Sequence, residues 1–202
     1  FCPWAWTHFS NSKLSRRDPR SSSRSTQILT QSNMKLAPVS EALGFADQTL
    51  KWSLDLWGQG KEEFSADDWR KFYKNAMSSD YISWNLLGVD QEHLFMAIRK
   101  KDEESEVVAS IAICDFDDFE EFREYKPWIA AFIVREDLRG SGIGSEVLRL
   151  AEHKAIEYGI TKIYLWTEGE RDFYAKRGYK FMKQMVKPGR KIDLMSKYLT
   201  AD

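Results

Sequence analysis

The stretch that decides the fold is Trp128-Ile-Ala-Ala-Phe-Ile-Val134, followed four residues later by Arg139-Gly-Ser-Gly-Ile-Gly-Ser145. The first segment is a near-continuous apolar run, the pattern of a strand covered on both faces and therefore central in its sheet. Three glycines in five residues then let the main chain approach a ligand with no Cβ in the way. Behind them, Ser145 to Tyr158 carries Val147, Leu150, Ala151, Ala155 and Tyr158 at helical spacing, and Gly159 ends the pattern before a second strand, Lys162 to Thr167. Strand, glycine turn, helix and strand make a right-handed βαβ unit with parallel strands. The helix start adds unpaired N–H groups and the positive end of its dipole, so this turn is a place to bind phosphate.

Spacing narrows the kind of phosphate. A P-loop closes on Gly-Lys followed by Ser or Thr, whereas this run closes on Ile143-Gly144-Ser145 with no lysine. A dinucleotide fingerprint begun at Gly140 or Gly142 needs a third small residue at Ser145 or Val147; valine is wrong, serine is marginal, and no acid follows a second strand at the required place. What remains is Arg-x-x-Gly-x-Gly, made by Arg139, Gly142 and Gly144. A second motif follows the strand Lys162 to Thr167. It is Asp172-Phe-Tyr-Ala-Lys-Arg-Gly-Tyr179, in which Tyr174, Gly178 and Tyr179 form Tyr-x-x-x-Gly-aromatic.

These two motifs, in this order across Trp128 to Tyr179, resemble the GNAT superfamily of acyl-CoA-dependent N-acetyltransferases. The resemblance implies an α+β fold: a mixed, mostly antiparallel twisted sheet flanked by helices, with a central parallel pair joined by a βαβ unit. It implies acetyl-CoA as co-substrate, its diphosphate on residues 139–145 (Arg139, Gly140, Ser141, Gly142, Ile143, Gly144 and Ser145). The pantetheine arm would run along Phe132, Ile133 and Val134 where the parallel strands splay, with Ile133 and Val134 as main-chain partners. It also implies acetyl transfer to a primary amine by direct attack on the thioester, with Tyr174 at the reacting end. Where many members carry an Asn and an Ala, this chain has Thr167 and Glu170, so no pantetheine-binding asparagine is carried over. Two other readings stay open: a non-catalytic acyl-CoA-binding module on the same fold, and a nucleotide-binding protein using the glycine loop.

Amide formation from a thioester needs an uncharged amine and a proton for the departing sulfur. A phenol with pKa about 10 reaches a thiolate of pKa about 8.5 against a mismatch of roughly 2 kcal/mol, small beside an enzymatic barrier. Tyr174 is thus either a general acid or a helix tyrosine packed on the sheet. For the base, Asp115 to Glu124 holds six acids in ten residues. This is either an acidic mouth for a cationic amine, with Asp115 or Asp117 taking its proton, or a solvated loop. Glu168 is the other candidate, its alternative being an acid that complements a helix N-terminus. Arg139 either contacts phosphate or closes its loop.

The 202 residues, 43% of them hydrophobic, suit one domain, and 34–202 is the expected unit. Residues 1–33 are rich in Ser and Arg with no sustained hydrophobic period, and the chain begins without methionine while Met34 precedes the first patterned segment. This leader reads as an extension, or as a transit segment that would send an otherwise cytoplasmic protein to mitochondria. It holds five bases and one acid, leaving 25 bases and 30 acids for 34–202, which argues against nucleic acid as a partner. No apolar run approaches a membrane span. Cys2 and Cys114 make no framework, and none of the three histidines has metal-ligand spacing, so no metal is expected. Asp47 to Trp57 (with Leu50, Leu54 and Trp57) and the segment after Ser65-Ala-Asp-Asp68 (with Trp69, Phe72, Tyr73 and Ala76) read as amphipathic helices. His93–Lys100 and Glu106–Phe116 read as a hairpin, and Lys180–Val186 with Ile192–Tyr198 as a closing strand pair.

Overall fold

The computed structural model of the protein describes residues 33–58, 65–78, 93–115, 117 and 119–200. The expectations for the leader therefore lie, except at Asn33, outside the described residues. In chain order the elements are β1 (Met34–Pro38), α1 (Ala46–Trp57), α2 (Ala66–Ser78), β2 (His93–Lys101), β3 (Glu104–Cys114), β4 (Trp128–Val134), α3 (Ile143–Glu157), β5 (Lys162–Thr167), α4 (Arg171–Ala175), β6 (Lys180–Lys187) and β7 (Arg190–Tyr198). The strands form one seven-stranded sheet in the order β1-β2-β3-β4-β5-β7-β6, antiparallel everywhere except between β4 and β5. This is the mixed α+β architecture expected from the two motifs. Among the described residues no helix is long and apolar enough to cross a membrane.

All seven residues of β4 are buried, because helices cover both faces of the sheet there. On one face α1 and α2 pack Trp57, Trp69, Phe72 and Tyr73 over the strands, with Trp57 and Trp69 stacked at 5.2 Å between ring centroids. On the other, α3 and α4 bring Val147, Leu148, Ala151 and Tyr174. α2 begins with the capping box expected from its sequence: the Ser65 N–H donates to Asp68 Oδ2 (2.8 Å) and the Asp68 N–H to Ser65 Oγ (3.2 Å).

Two helix faces differ from the sequence reading. The buried line of α1 is Ala46, Thr49, Ser53 and Trp57, while Leu50 and Leu54 sit half-buried beside it. Thr49 and Ser53 can face the core because their hydroxyls donate to main-chain carbonyls of the preceding turn, Thr49 to Ala46 O (3.2 Å) and Ser53 to Thr49 O (3.3 Å). α3 starts two residues earlier than its pattern suggests, so the row meeting the sheet is Ile143, Val147, Ala151 and Ala155 with Leu148 and Glu152 alongside; Leu150 and Tyr158 fall on the flanks. The β2–β3 turn is only Asp102-Glu103, and in the closing hairpin β7 lies against β5, which leaves β6 at the edge.

The feature that positions the site is a fork. β4 and β5 pair only at Trp128 and Tyr164, with the Tyr164 N–H donating to Pro127 O (3.0 Å). Beyond that bridge the strands part. β4 also slips register against β3 between Ser110 and Ala112, where Ala131 takes φ 47°, a bulge that bends the strand and turns its later residues.

Candidate active site

At the mouth of the fork lies a cavity of about 220 Å³. Its walls come from three elements: Phe132 and Val134 of β4, the turn into α3, and Phe173, Tyr174 and Arg177 on and just after α4. The turn is shaped by two left-handed glycines, Gly140 (φ 75°) and Gly142 (φ 91°), the second serving as the N-cap of α3. A Cβ at Gly142 would meet nothing within 4 Å, so glycine is needed there for its backbone angle. Gly144 is different. A Cβ on it would lie 3.5 Å from Phe173 Cζ and Val134 Cγ2, so its bareness keeps the cavity wall close to main chain.

Hydrogen bonding leaves donors at this turn. The Ser145 and Glu146 N–H groups return to Gly142 O (3.0 and 3.2 Å) and the Ser141 N–H to Leu138 O (3.4 Å), while the N–H groups of Gly142, Ile143 and Gly144 have no main-chain partner. Three adjacent free N–H groups at the positive end of a helix 15 residues long are suited to an anion. Arg139 closes the loop through Nε, which donates to Val134 O (3.1 Å), and it also lines the cavity.

Of the ten residues expected at the acyl carrier, seven meet here: Phe132, Val134, Arg139, Gly140, Gly142, Gly144 and Ser145. Three do not line it. Ser141 and Ile143 face a separate hollow with Asn33 and Arg99, and Ile133 faces another beside Trp52 and Leu56 of α1. Ile133 was expected to offer its main chain. The Arg135 N–H donates to Val108 O of β3 (2.9 Å), and by the two-residue alternation of a strand the main-chain groups of Ile133 face β3 as well, which leaves Val134 toward the fork.

Tyr174 is buried in the cavity wall, edge-on to Phe173 (5.0 Å) and Tyr179 (5.7 Å). Burial pushes its phenol well above the ordinary value; the charges of Glu170 and Asp117 add to this and Arg177 opposes it. The hydroxyl is thereby held neutral. It is fit to donate a hydrogen bond and unfit to act as a base.

The acidic candidates fare unequally. Asp117 is buried and close enough to Tyr174 for its charge to act on the phenol, whereas Asp115 sits half-buried at the end of β3. Glu168 receives Arg190 Nε at 2.7 Å. The remaining described acids of the run are engaged as well: Glu120 by Arg123 (2.6 Å), Glu121 by Lys187 (3.1 Å) and Glu124 by Lys183 (3.8 Å). The same lysines lie over aromatic rings, Lys187 over Phe119 (5.2 Å) and Lys183 over Tyr125 (4.8 Å). Two acids of the run, Glu121 and Glu124, are thus met by lysines of the β6–β7 hairpin, a pairing between segments some 60 residues apart that local sequence does not reveal. Among the described residues no cluster of three or more His, Cys, Asp and Glu could hold a metal.

Arg177 is the cavity residue that the sequence reading passed over. The signal was present, since it lies three residues after Tyr174 inside the Tyr-x-x-x-Gly motif and so returns to the same side of the chain.

The site thus combines a forked sheet, a glycine turn at the start of a long helix on one side and a buried tyrosine on the other. The Acetyltransferase (GNAT) family model matches residues 61–179, and the chain belongs to that family, whose chemistry is acyl transfer. No curated protein sequence matches it. Its fold is similar to that of a putative N-acetyltransferase from Lactobacillus plantarum (19% identity, TM-score 0.53, covering 83% of this chain and 99% of that one). It is similar too to a GNAT-family acetyltransferase from Staphylococcus aureus Mu50 (15% identity, TM-score 0.54, 83% and 99%). A third likeness is to a chain of the NatC complex bound to Gag peptide and CoA (18% identity, TM-score 0.55, 83% and 99%).

Proposed function

We propose that this chain transfers the acetyl group of acetyl-CoA to a primary amine, and that 34–202 is the unit that does so. The observation that carries this reading is one cavity lined at one end by Gly142 and Gly144, in the turn with main-chain N–H groups unpaired among the described residues, and at the other by Tyr174. Acetyl-CoA supplies an activated thioester. The N–H groups hold its diphosphate, and the Val134 N–H at the fork is available to its pantetheine arm. Tyr174, kept protonated by burial, donates its hydrogen to the departing sulfur. Because burial adds to the mismatch of roughly 2 kcal/mol between a free phenol and a thiolate, the hydroxyl works best as a short-range hydrogen-bond donor that completes proton transfer late. The amine attacks directly: Cys114 is buried within β3 and does not line the cavity. Its proton passes by way of water to Asp117, which does not line the cavity but is the candidate acid whose charge reaches Tyr174, while Glu168 is held by Arg190. A buried thiol, Cys114, that is not in a disulfide suits a reducing compartment such as the cytoplasm.

The test is free-thiol release from acetyl-CoA in the presence of amine panels (peptide N-termini, lysine peptides, polyamines and small aromatic amines), with products read by mass spectrometry. Thiol release above the no-amine rate, with an acetylated amine of matching amount, is the expected result. Acetyl-CoA binding without release for any amine would make the chain an acyl-CoA-binding module, and nucleotide binding without acetyl-CoA binding would make it a nucleotide-binding protein.

A further inference from the structure

Arg177 is a cation with no carboxylate in ion-pair contact among the described residues; besides Tyr174, the charge that acts on it is that of Glu152, which is bound by Lys197. Its guanidinium lies 3.6 Å over the Phe173 ring, which fixes its plane, and it donates to Phe173 O and Ser145 Oγ. None of the ion pairs among the described residues includes it, and its Nε is buried with no hydrogen-bond partner. Arg135 and Arg190, also half-buried, each carry a carboxylate at 2.8 Å or less, whereas Arg139 of the same cavity, like Arg177, has none among the described residues. Burial lowers the Arg177 pKa, the sign of a cation that has lost water and gained too little in exchange. An unpaired guanidinium of this kind is stabilised by an anion delivered from outside.

The anion's place follows from Ser145. That residue is the third of α3, so the guanidinium bound to its hydroxyl sits at the helix start, in a cavity that Arg139 also lines. We propose that Arg177 binds the diphosphate of the acyl carrier, as the second arm of a clamp whose first arm is Arg139. The planar fork of a guanidinium matches two phosphate oxygens at once, and stacking on Phe173 means little side-chain freedom is lost on binding. This rests on the acyl-carrier reading given above and assigns a residue within it.

The test is calorimetric titration of wild type, Arg177→Met and Arg177→Lys with two ligands, acetyl-CoA and 3′-dephospho-acetyl-CoA, repeated at several salt concentrations. Methionine keeps an unbranched stem over Phe173 while deleting the charge. Arg177→Met is expected to weaken both ligands alike by about ten- to a hundredfold, as for loss of a hydrogen bond to a charged group, with Arg177→Lys recovering part of the loss. Its affinity should also depend less steeply on salt than that of wild type. Unchanged affinity in Arg177→Met, or a loss with an unchanged salt dependence, overturns the proposal in favour of a packing role. A loss confined to acetyl-CoA and absent with the dephospho ligand overturns the assignment to the diphosphate. If Arg177→Met does not fold, Arg177→Gln, which also removes the charge, decides by the same loss and the same shallower salt dependence. Absence of acetyl-CoA binding in wild type overturns the functional reading itself, a result separate from equal binding by wild type and variant.

Discussion

The glycine-turn end of the cavity and the acid-rich segment between β3 and β4 solve opposite problems. At the first, the groups offered to the proposed ligand are mostly main chain, at Gly142 and Gly144, with Gly142 present for its backbone angle and Gly144 for its bareness. At the second, the chemistry lies in side chains, and part of their charge is met inside the protein, Glu120 by Arg123 of the same segment and Glu121 and Glu124 by Lys187 and Lys183 of the β6–β7 hairpin. A main-chain site must be encoded locally, as glycines at fixed spacing before a helix. A side-chain site depends on what the rest of the fold brings against it.

The largest effect should come from the one side chain that joins the two ends. Tyr174→Phe keeps the ring and its edge-on contacts while removing the hydroxyl, so kcat should fall by about 10² to 10⁴ with acetyl-CoA affinity nearly unchanged. Steady-state kinetics with the best amine from the panel check this. A rate equal to wild type would take Tyr174 out of the mechanism and leave the two ends unconnected.

Next comes the turn itself. Gly142→Ala forces a side chain into φ 91° with nothing to clash against, so the cost should be backbone strain of about 1–3 kcal/mol, seen as a lower melting temperature. An unchanged melting temperature would mean that the turn can relax and that the glycine is not there for its angle.

Across the acidic segment the effects should be smaller and graded by burial. Lys187→Ala breaks a half-exposed pair with Glu121 and should cost less than about 1 kcal/mol. Outside that segment, after β5, Arg190→Met removes the Nε donor 2.7 Å from Glu168, which is only 11% exposed, and should cost more, about 1–3 kcal/mol. Chemical denaturation of the two variants orders them. The reverse order would show that burial does not grade these pairs.

The smallest effect concerns the leader. A chain starting at Asn33 keeps the Asn33 carbonyl that accepts the Lys100 N–H (3.1 Å) and should match the full chain in melting temperature and acetyl-CoA affinity. A clear loss of either would show that the removed residues take part in the folded unit.

The same contrast explains what could be read in advance. β4, β5 and the turn between them were legible because a buried central strand is apolar throughout and a ligand-facing turn needs glycine, both local facts. Tyr174 came with its own motif. The buried face of α1 was not legible, since Thr49 and Ser53 look polar until their hydroxyls are seen returning to the preceding turn. Nor was the direction of the Ile133 main chain, which depends on the bulge at Ala131 and the register it imposes against β3. The pairing of Glu121 and Glu124 with lysines of the β6–β7 hairpin was hidden for a third reason, that those partners lie far along the chain.

The central claim is that main chain at the glycine turn holds the acyl carrier, and Gly144→Val tests it most directly. The Cβ fits at ordinary contact distance, 3.5 Å from Phe173 and Val134, while the added methyl groups occupy the cavity wall where the carrier must come close. Calorimetric titration with acetyl-CoA should show one equivalent bound by wild type and at least about tenfold weaker binding, or 1.4 kcal/mol, by a Gly144→Val protein that melts at the wild-type temperature. Equal affinity in that folded variant, or no binding by wild type, would contradict the claim.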